Sequence, residues 1–224
     1  MKVVAIDGPS GVGKSSVARL MAERLGYYFL SSGLIYRCIA WYLLGEGWTA
    51  GTAPDTARLA DFALSIGPDG VPSVNGTPIR EGLHTDAISH AASVVSTDPA
   101  IRAVADRAQR ETARKLARSG AFPGMVIEGR DSGTVVFPDA DHKFFITASD
   151  TVRAHRRFLE LKAADPAVTE EAVLAALRER DRRDTTRDHA PLKPAPDAVL
   201  VDTSELTLEQ VLATILARVA PADA

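Results

Sequence analysis

A single cysteine, Cys38, is all the chain carries, so no disulfide framework can form. Its apolar neighbours Ile35, Ile39 and Trp41 point to a buried structural thiol, and a reducing compartment fits. No apolar run approaches the roughly 18 residues that a membrane span needs. No charged-then-apolar leader precedes a first strand that begins at Val3, so a cytoplasmic location is expected. A surplus of positive charge is also missing: the formal net charge is −3 and the isoelectric point is near 6.0. Such a chain lacks the cations to cover a polyanion, which argues against a general nucleic-acid or membrane binder. Repeats and low-complexity segments are absent as well.

Lysine is scarce, six against twenty arginines, and the arginines cluster between Arg153 and Arg187. A guanidinium is planar, permanently charged and able to grip phosphate with two parallel bonds, so the clustering asks for a local explanation.

What is present most clearly is Gly8-Pro9-Ser10-Gly11-Val12-Gly13-Lys14-Ser15, followed by Ser16. It lies directly after the apolar run Val3–Ile6 and directly before a helical pattern of Val17, Leu20, Met21 and Leu25. Glycines without Cβ let such a loop wrap tightly and aim successive N–H groups at phosphate oxygens. Lys14 reaches the β- and γ-phosphates, and Ser15, at a helix start whose dipole favours anions, supplies a hydroxyl to Mg²⁺. A glycine-rich turn would share the composition, but the strand before and helix after are the context of a triphosphate binder.

The remaining pattern predicts an α/β domain with an elaboration, and 224 residues are enough to bury a substantial core. A strand at 3–7, a helix at 14–25, a strand at 27–30 and a helix at 34–44 alternate as a parallel sheet requires. Residues 51–83 break the alternation with turn signals at Gly51, Pro54, Gly67-Pro68-Asp69-Gly70, Pro72 and Pro78, and with a hairpin signal at Asn75-Gly76. Helices are expected over 85–96 and, after the Thr97-Asp98 cap signal, 99–118. Strands follow at 125–128 and 142–147, helices at 150–163 and 169–180, a last strand at 198–202 and a last helix at 207–219.

Three segments carry candidate chemistry beyond the loop. Ser31-Ser32-Gly33-Leu34-Ile35-Tyr36-Arg37 sits at a strand end and helix start, where backbone N–H groups and Arg37 can hold an anion. Ser32 acting only as a helix cap, with Arg37 exposed, reads equally well from this stretch alone. Gly129-Arg130-Asp131-Ser132-Gly133-Thr134 follows an apolar strand, and loops at such ends line the ligand crevice of an open parallel sheet. Arg180-Asp181-Arg182-Arg183-Asp184-Thr185-Thr186-Arg187 could be a solvated face laced with ion pairs, yet arginines facing a triphosphate would stabilise transferred charge.

Taken together these segments resemble the bacterial cytidylate kinases, nucleoside monophosphate kinases that act on CMP and dCMP. The likeness runs nearly end to end: IDGPSGVGKSS at 6–16, SSGLIYR at 31–37, EGRDSGTVVFPDADHKFF at 128–145, HRRFLEL at 155–161, RDRRDTTR and APL within 180–192, and VDTSELTLEQV at 201–211. The resemblance implies a P-loop NTPase-type α/β fold: a parallel five-stranded sheet flanked by helices, a small monophosphate-binding insertion at about 51–96, and a short helical lid at about 151–168. The core is then 1–50, 97–150 and 195–224. It implies transfer of the γ-phosphoryl group of ATP to CMP or dCMP with Mg²⁺, in pyrimidine nucleotide metabolism, by a cytoplasmic monomer without nucleic-acid or membrane partners. Ser32 and Arg37 match the acceptor-phosphate segment, with Arg130 and Arg187 joining them. Ser93 and Arg102, with Asp131, match the cytosine readers, and Arg180 and Asp184 the ribose ligands. Arg156 and Arg157 match a mobile lid over ATP, which gives Lys14, Arg130, Arg156, Arg157 and Arg187 as the catalytic set. Ser31 departs from an Asp that often precedes Ser-Gly, and Ser16 from a common Thr.

Rival readings are a kinase of the same fold with another small acceptor, a nucleotide-gated switch that hydrolyses ATP slowly, and a nucleic-acid module built on the arginine cluster. The switch needs no second anion site, whereas this chain offers Arg37, Arg130, Arg180 and Arg187. The third conflicts with the acidic total and with Asp181 and Asp184 inside the cluster.

Overall fold

Strand β1 (Lys2–Asp7) sends Val4 and Ile6 to one face of a sheet and Ala5 to the other, and all three side chains are buried. A strand covered on both faces reads as a continuous apolar run, which is the mark of a parallel sheet. β1 lies at the centre of five parallel strands in the order β2 (Tyr28–Ser31), β6 (Gly124–Gly129), β1, β7 (His142–Thr147) and β8 (Val199–Asp202). One face packs on α1 (Lys14–Leu25) and α7 (Leu208–Val219), where Val17, Met21 and Ile215 meet Val4, Ile6, Val126 and Ile146. The other face packs on α2 (Ser32–Gly45) and α4 (Pro99–Ser119), where Ile35, Ile39 and Ile101 meet Ala5, Met125 and Ile127. Each fully buried aliphatic side chain contributes about 1.5–3 kcal/mol. The computed structural model describes residues 1–163 and 165–219. Ala164, in the expected lid, and residues 220–224, at the end of the expected core, lie outside the described residues.

The stretch predicted to be turn-rich forms a 3₁₀ turn at Thr56–Asp61 and a small antiparallel sheet of β3 (Leu64–Ile66), β4 (Pro72–Val74) and β5 (Thr77–Pro78). The hairpin falls at Asn75-Gly76, with φ of 49° and 80° and Val74 opposite Thr77, the two left-handed residues that a tight hairpin turn needs. α3 (Asp86–Val95) follows, capped by Thr85, and Asp98 caps α4 through the N–H groups of Ala100 and Ile101. Cys38 is fully buried against Val74, Ile79 and Leu83, and burial pushes its thiol up to about 12. No described helix is long and apolar enough to cross a membrane.

Two boundaries differ from the sequence expectation. α2 begins at Ser32 rather than near residue 34, so Ser32 lies in the first turn and caps nothing. The last long helices, α5 (Asp150–Lys162) and α6 (Glu170–Thr186), pack on each other through Ala154, Val173 and Leu177. α6 runs through the charged stretch instead of stopping at residue 180, because Glu179 pairs with Arg182 at 2.9 Å and approaches Arg183 at 3.7 Å, one helical turn on. This extension places Arg180, Asp184 and Arg187 along one side of the helix end.

The carboxyl end of β1 is where the connections turn to opposite sides: β2 and β6 lie on one flank, β7 and β8 on the other. A crevice opens at such a switch point. Gly8 occupies it with φ of 151°, and a Cβ there would collide with the carbonyl oxygen of Ile146 on β7. Gly8→Ala is therefore expected to cost at least about 2 kcal/mol, since strain and overlap act together. Urea denaturation checks this, and a change under about 0.5 kcal/mol would mean that the loop is not pinned against β7.

Candidate active site

The expected phosphate loop connects β1 and α1. Lys14 is 5% exposed, and its ammonium donates to the carbonyl oxygen of Pro9 at 2.5 Å. Burial, and then the neighbouring charge of Arg130, holds it well below the ordinary lysine value, so an arriving anion finds a cation short of partners. Gly11 and Gly13 have φ of 77° and 88°, and α1 starts at Lys14 with Ser15 and Ser16 exposed in its first turn. The Ser15 hydroxyl is exposed and so accessible to a cation. Among the described residues no group of three or more His, Cys, Asp or Glu could cage a metal by itself. That donor set suits Mg²⁺, which keeps waters and takes phosphate oxygens with few protein ligands.

Facing the loop is a chain of buried ion pairs. Arg102 pairs with Asp131 and donates to the carbonyl oxygen of Ser96 at 3.0 Å, with its guanidinium 5.7 Å from the centre of the Tyr36 ring. The other oxygen of Asp131 lies 3.7 Å from Arg187, which lies 3.8 Å from Asp184, and Asp184 accepts from Arg130 at 2.8 Å. Burial opposes ionisation of Asp184, but Arg130, Arg180 and Arg187 outweigh it and hold the carboxyl below its usual range. Arg180 is pulled down to about 10, first by burial and then by Arg130. Its Nε, one nitrogen of Arg187 and the buried hydroxyl of Ser93 have no hydrogen-bond partner among the described residues. Buried polar atoms are nearly always satisfied, so these three are candidates to be met by a polar ligand.

Arg37, half-buried on α2, meets His84 at 3.3 Å and Ser89 at 3.4 Å and forms no ion pair among the described residues. Burial lowers its pKa, and the nearby carboxylate of Glu128 only partly offsets this. Ser32 is buried at the start of α2, with its hydroxyl against Gly129 at the end of β6. The two arginines expected in a lid, Arg156 and Arg157, diverge. Arg157 pairs with Glu160 at 2.9 Å on an exposed face and is near enough to add its charge to Arg37. Arg156 instead donates to the carbonyl oxygen and hydroxyl of Thr203 at 2.7 and 3.2 Å, at the loop after β8 and away from the arginine chain.

Three acids escaped the sequence reading. Asp7, 4% exposed, accepts from the N–H groups of Ser132 and Gly133 at 2.9 and 2.7 Å and so holds the π-helical turn Ser132–Val136 that follows Asp131. Burial raises its pKa. Glu128, 6% exposed, accepts from the Ser31 hydroxyl at 2.5 Å and so joins the ends of β2 and β6. A signal existed for both: each is an acid terminating an apolar strand at the crevice. Asp106 has no such signal. It is one helical turn from Arg102, with one carboxylate oxygen buried and unpartnered among the described residues, and burial followed by the charge of Asp131 raises its pKa.

Comparison with known proteins bears on this geometry. Residues 4–221 match the family model described as cytidylate kinase. The chain is 42% identical over 218 residues to the cytidylate kinase of Geobacter sulfurreducens, covering 94% of this chain and 89% of the relative. It is also 42% identical to the cytidylate kinase of Pseudomonas aeruginosa strain UCBPP-PA14, covering 96% of this chain and 93% of the relative. Among solved structures, an uncharacterized protein from Eubacterium ventriosum superposes with a TM-score of 0.54 at 12% identity, covering 98% of each chain, which is a likeness of fold alone.

Proposed function

We propose, from the premise that this chain belongs to the cytidylate kinase family and transfers the γ-phosphoryl group of ATP to CMP or dCMP, a division of labour among its residues. The observation that carries it is the chain of ion pairs Arg102–Asp131–Arg187–Asp184–Arg130 across from Lys14. The phosphate loop, Gly8 to Ser16, cradles the triphosphate, and Lys14 leaves Pro9 for the β- and γ-oxygens. Arg37, Arg130 and Arg187, with Ser32, take the acceptor phosphate. Arg180 and Asp184 hold the ribose. Ser93, Arg102 and Asp131 read the cytosine edge, and the unpartnered Ser93 hydroxyl supports that role.

The acceptor phosphate already carries about −1.5 to −2 at neutral pH, so its oxygen attacks without a general base. The barrier is the meeting of two polyanions. Lys14, Arg130 and Arg187 offset that repulsion from fixed positions and favour the charge of a loose, in-line transition state. Mg²⁺, with Ser15 as its protein ligand, supplies further neutralisation and alignment of the phosphates when bound. Residues 151–168 act as a lid that brings Arg157 inward and excludes water, and residues 51–96 close the acceptor side. Arg156, tied to the loop after β8, steadies the lid from its far side. The working unit is a cytoplasmic monomer in pyrimidine nucleotide metabolism, the setting that the family and the single buried cysteine support.

ADP formation with Mg-ATP against CMP, dCMP, UMP, AMP, GMP and no acceptor tests the reading. Turnover largely confined to CMP and dCMP is expected, because polar groups placed for one base edge are left unpaired by another. Equal turnover of another nucleotide would discard the cytosine assignments, and equal ADP release without acceptor would replace the kinase by an ATPase switch.

A further inference from the structure

Two charged residues of the arginine-rich stretch have no part in the site as described. Arg153, in the first turn of α5, is 4% exposed, and both terminal nitrogens of its guanidinium are engaged inside the protein, while its buried Nε has no hydrogen-bond partner among the described residues. One terminal nitrogen donates to the carbonyl oxygen of Ser10 at 2.9 Å and pairs with Asp181 on α6. The other donates to Asp150 at 2.5 Å. Asp181 turns its second oxygen to the backbone N–H of Ser10, 3.3 Å away. Contact continues at Gly11, where a Cβ would stand 3.3 Å from the carbonyl oxygen of Arg153. An N–H of the phosphate loop, a group whose use is to meet phosphate oxygen, is thus met by a carboxylate of the same chain.

Carboxylate and phosphate oxygens are both anionic acceptors, and they compete for one N–H while repelling each other. Arg153 fixes Asp181 in that position. Asp181 in turn shares α6 with Arg180, one residue before it, and Asp184, three residues after it on the same side of the helix. A displacement of Asp181 therefore reaches the ion pairs of Asp184 with Arg130 and Arg187. We infer that Asp181, gripped by Arg153, competes with the terminal phosphate of ATP for the Ser10 N–H of the loop, and that its displacement by the donor is passed along α6 to the acceptor site. Both are positioning residues, and the inference rests on the kinase reading above.

The test is the affinity of a Mg-bound non-hydrolysable ATP analogue, measured by calorimetry without acceptor, for the wild type, Asp181→Asn and Asp181→Ala. Removing an internal competitor raises the competent fraction of the loop, so both variants are expected to bind the analogue about five- to tenfold more tightly. The analogue is expected to change CMP affinity about fivefold in the wild type and less than twofold in the variants. Unchanged or weaker analogue binding by folded variants would overturn the inference, as would coupling that survives intact, since a merely supporting contact loosens the loop when lost. If neither variant folds, Arg153→Lys, which keeps the cation but loses the fork, is expected to tighten analogue binding in the same direction. CMP turnover is scored separately. Its absence in the wild type would remove the kinase reading, whereas the analogue affinities alone decide the latch.

Discussion

Lys14→Ala is expected to lower kcat for CMP phosphorylation by about 10³-fold or more while the protein stays folded. Loss of one fixed charge aimed at a transferring phosphoryl group costs on the order of 10² to 10⁵ in rate, depending on how dry the site is. This site is dry: Lys14 is nearly inaccessible, and Arg130 and Arg180 are close enough to depress its charge. The same features protect the fold. Among the described residues the ammonium has a single hydrogen-bond partner, the Pro9 carbonyl, and burial together with Arg130 and Arg180 outweighs the carboxylates of Glu128 and Asp7, so its removal relieves a desolvated cation. Steady-state ADP formation together with thermal unfolding separates the two effects. Turnover within tenfold of the wild type would remove the loop lysine from the mechanism, and a collapse of the unfolding midpoint would mean that it serves the fold instead.

The second large effect is expected at Arg102. Arg102→Ala should raise the KM for CMP by about 100-fold and leave the KM for ATP within about twofold. Its guanidinium makes a charged pair with Asp131 and a bond to Ser96, and bonds to charged groups contribute roughly 1.5–3 kcal/mol each. Truncation leaves a buried carboxylate, which ordinarily costs about 3–5 kcal/mol of stability. Arg187, 3.7 Å from the other oxygen of Asp131, remains to pair with it, which places the cost at the lower end. Arg102→Lys keeps the charge but not the fork, so an intermediate KM is expected. Varying each substrate at saturating levels of the other is the measurement. A change confined to ATP would overturn the base-reading role.

The difference between these two residues shows what could be read from the chain. Lys14 is legible because its neighbours in sequence are also its neighbours in space: strand, glycine loop and helix start are contiguous, and short-range sterics dictate the loop. The Asn75-Gly76 hairpin is legible for the same reason. Arg102 shows nothing locally beyond a helical arginine, and its role enters the sequence reading only through family resemblance. Its partner Asp131 is 29 residues away, and the ion-pair chain continues to Asp184 and Arg187 through helix packing. Asp7 and Glu128 sit in plain view at strand ends, but which N–H or hydroxyl each accepts depends on loops more than 90 residues away.

What the sequence by itself determined is therefore the parallel α/β class, the phosphate loop, the small antiparallel elaboration and, through its long run of family motifs, the reaction. These depend on periodicity, turn chemistry and spacing within a few residues, or on motifs read as strings. Only the tertiary structure decided that α6 extends to Thr186, that Arg156 is tied to Thr203 while Arg157 lies near Arg37, and that Asp181 closes on Ser10 with Arg153 between the helices. The physical reason is that a long charged side chain has several partners of nearly equal strength within reach of its flexible stem. Burial by the packed helices then selects the one partner that leaves the fewest charges unpaired.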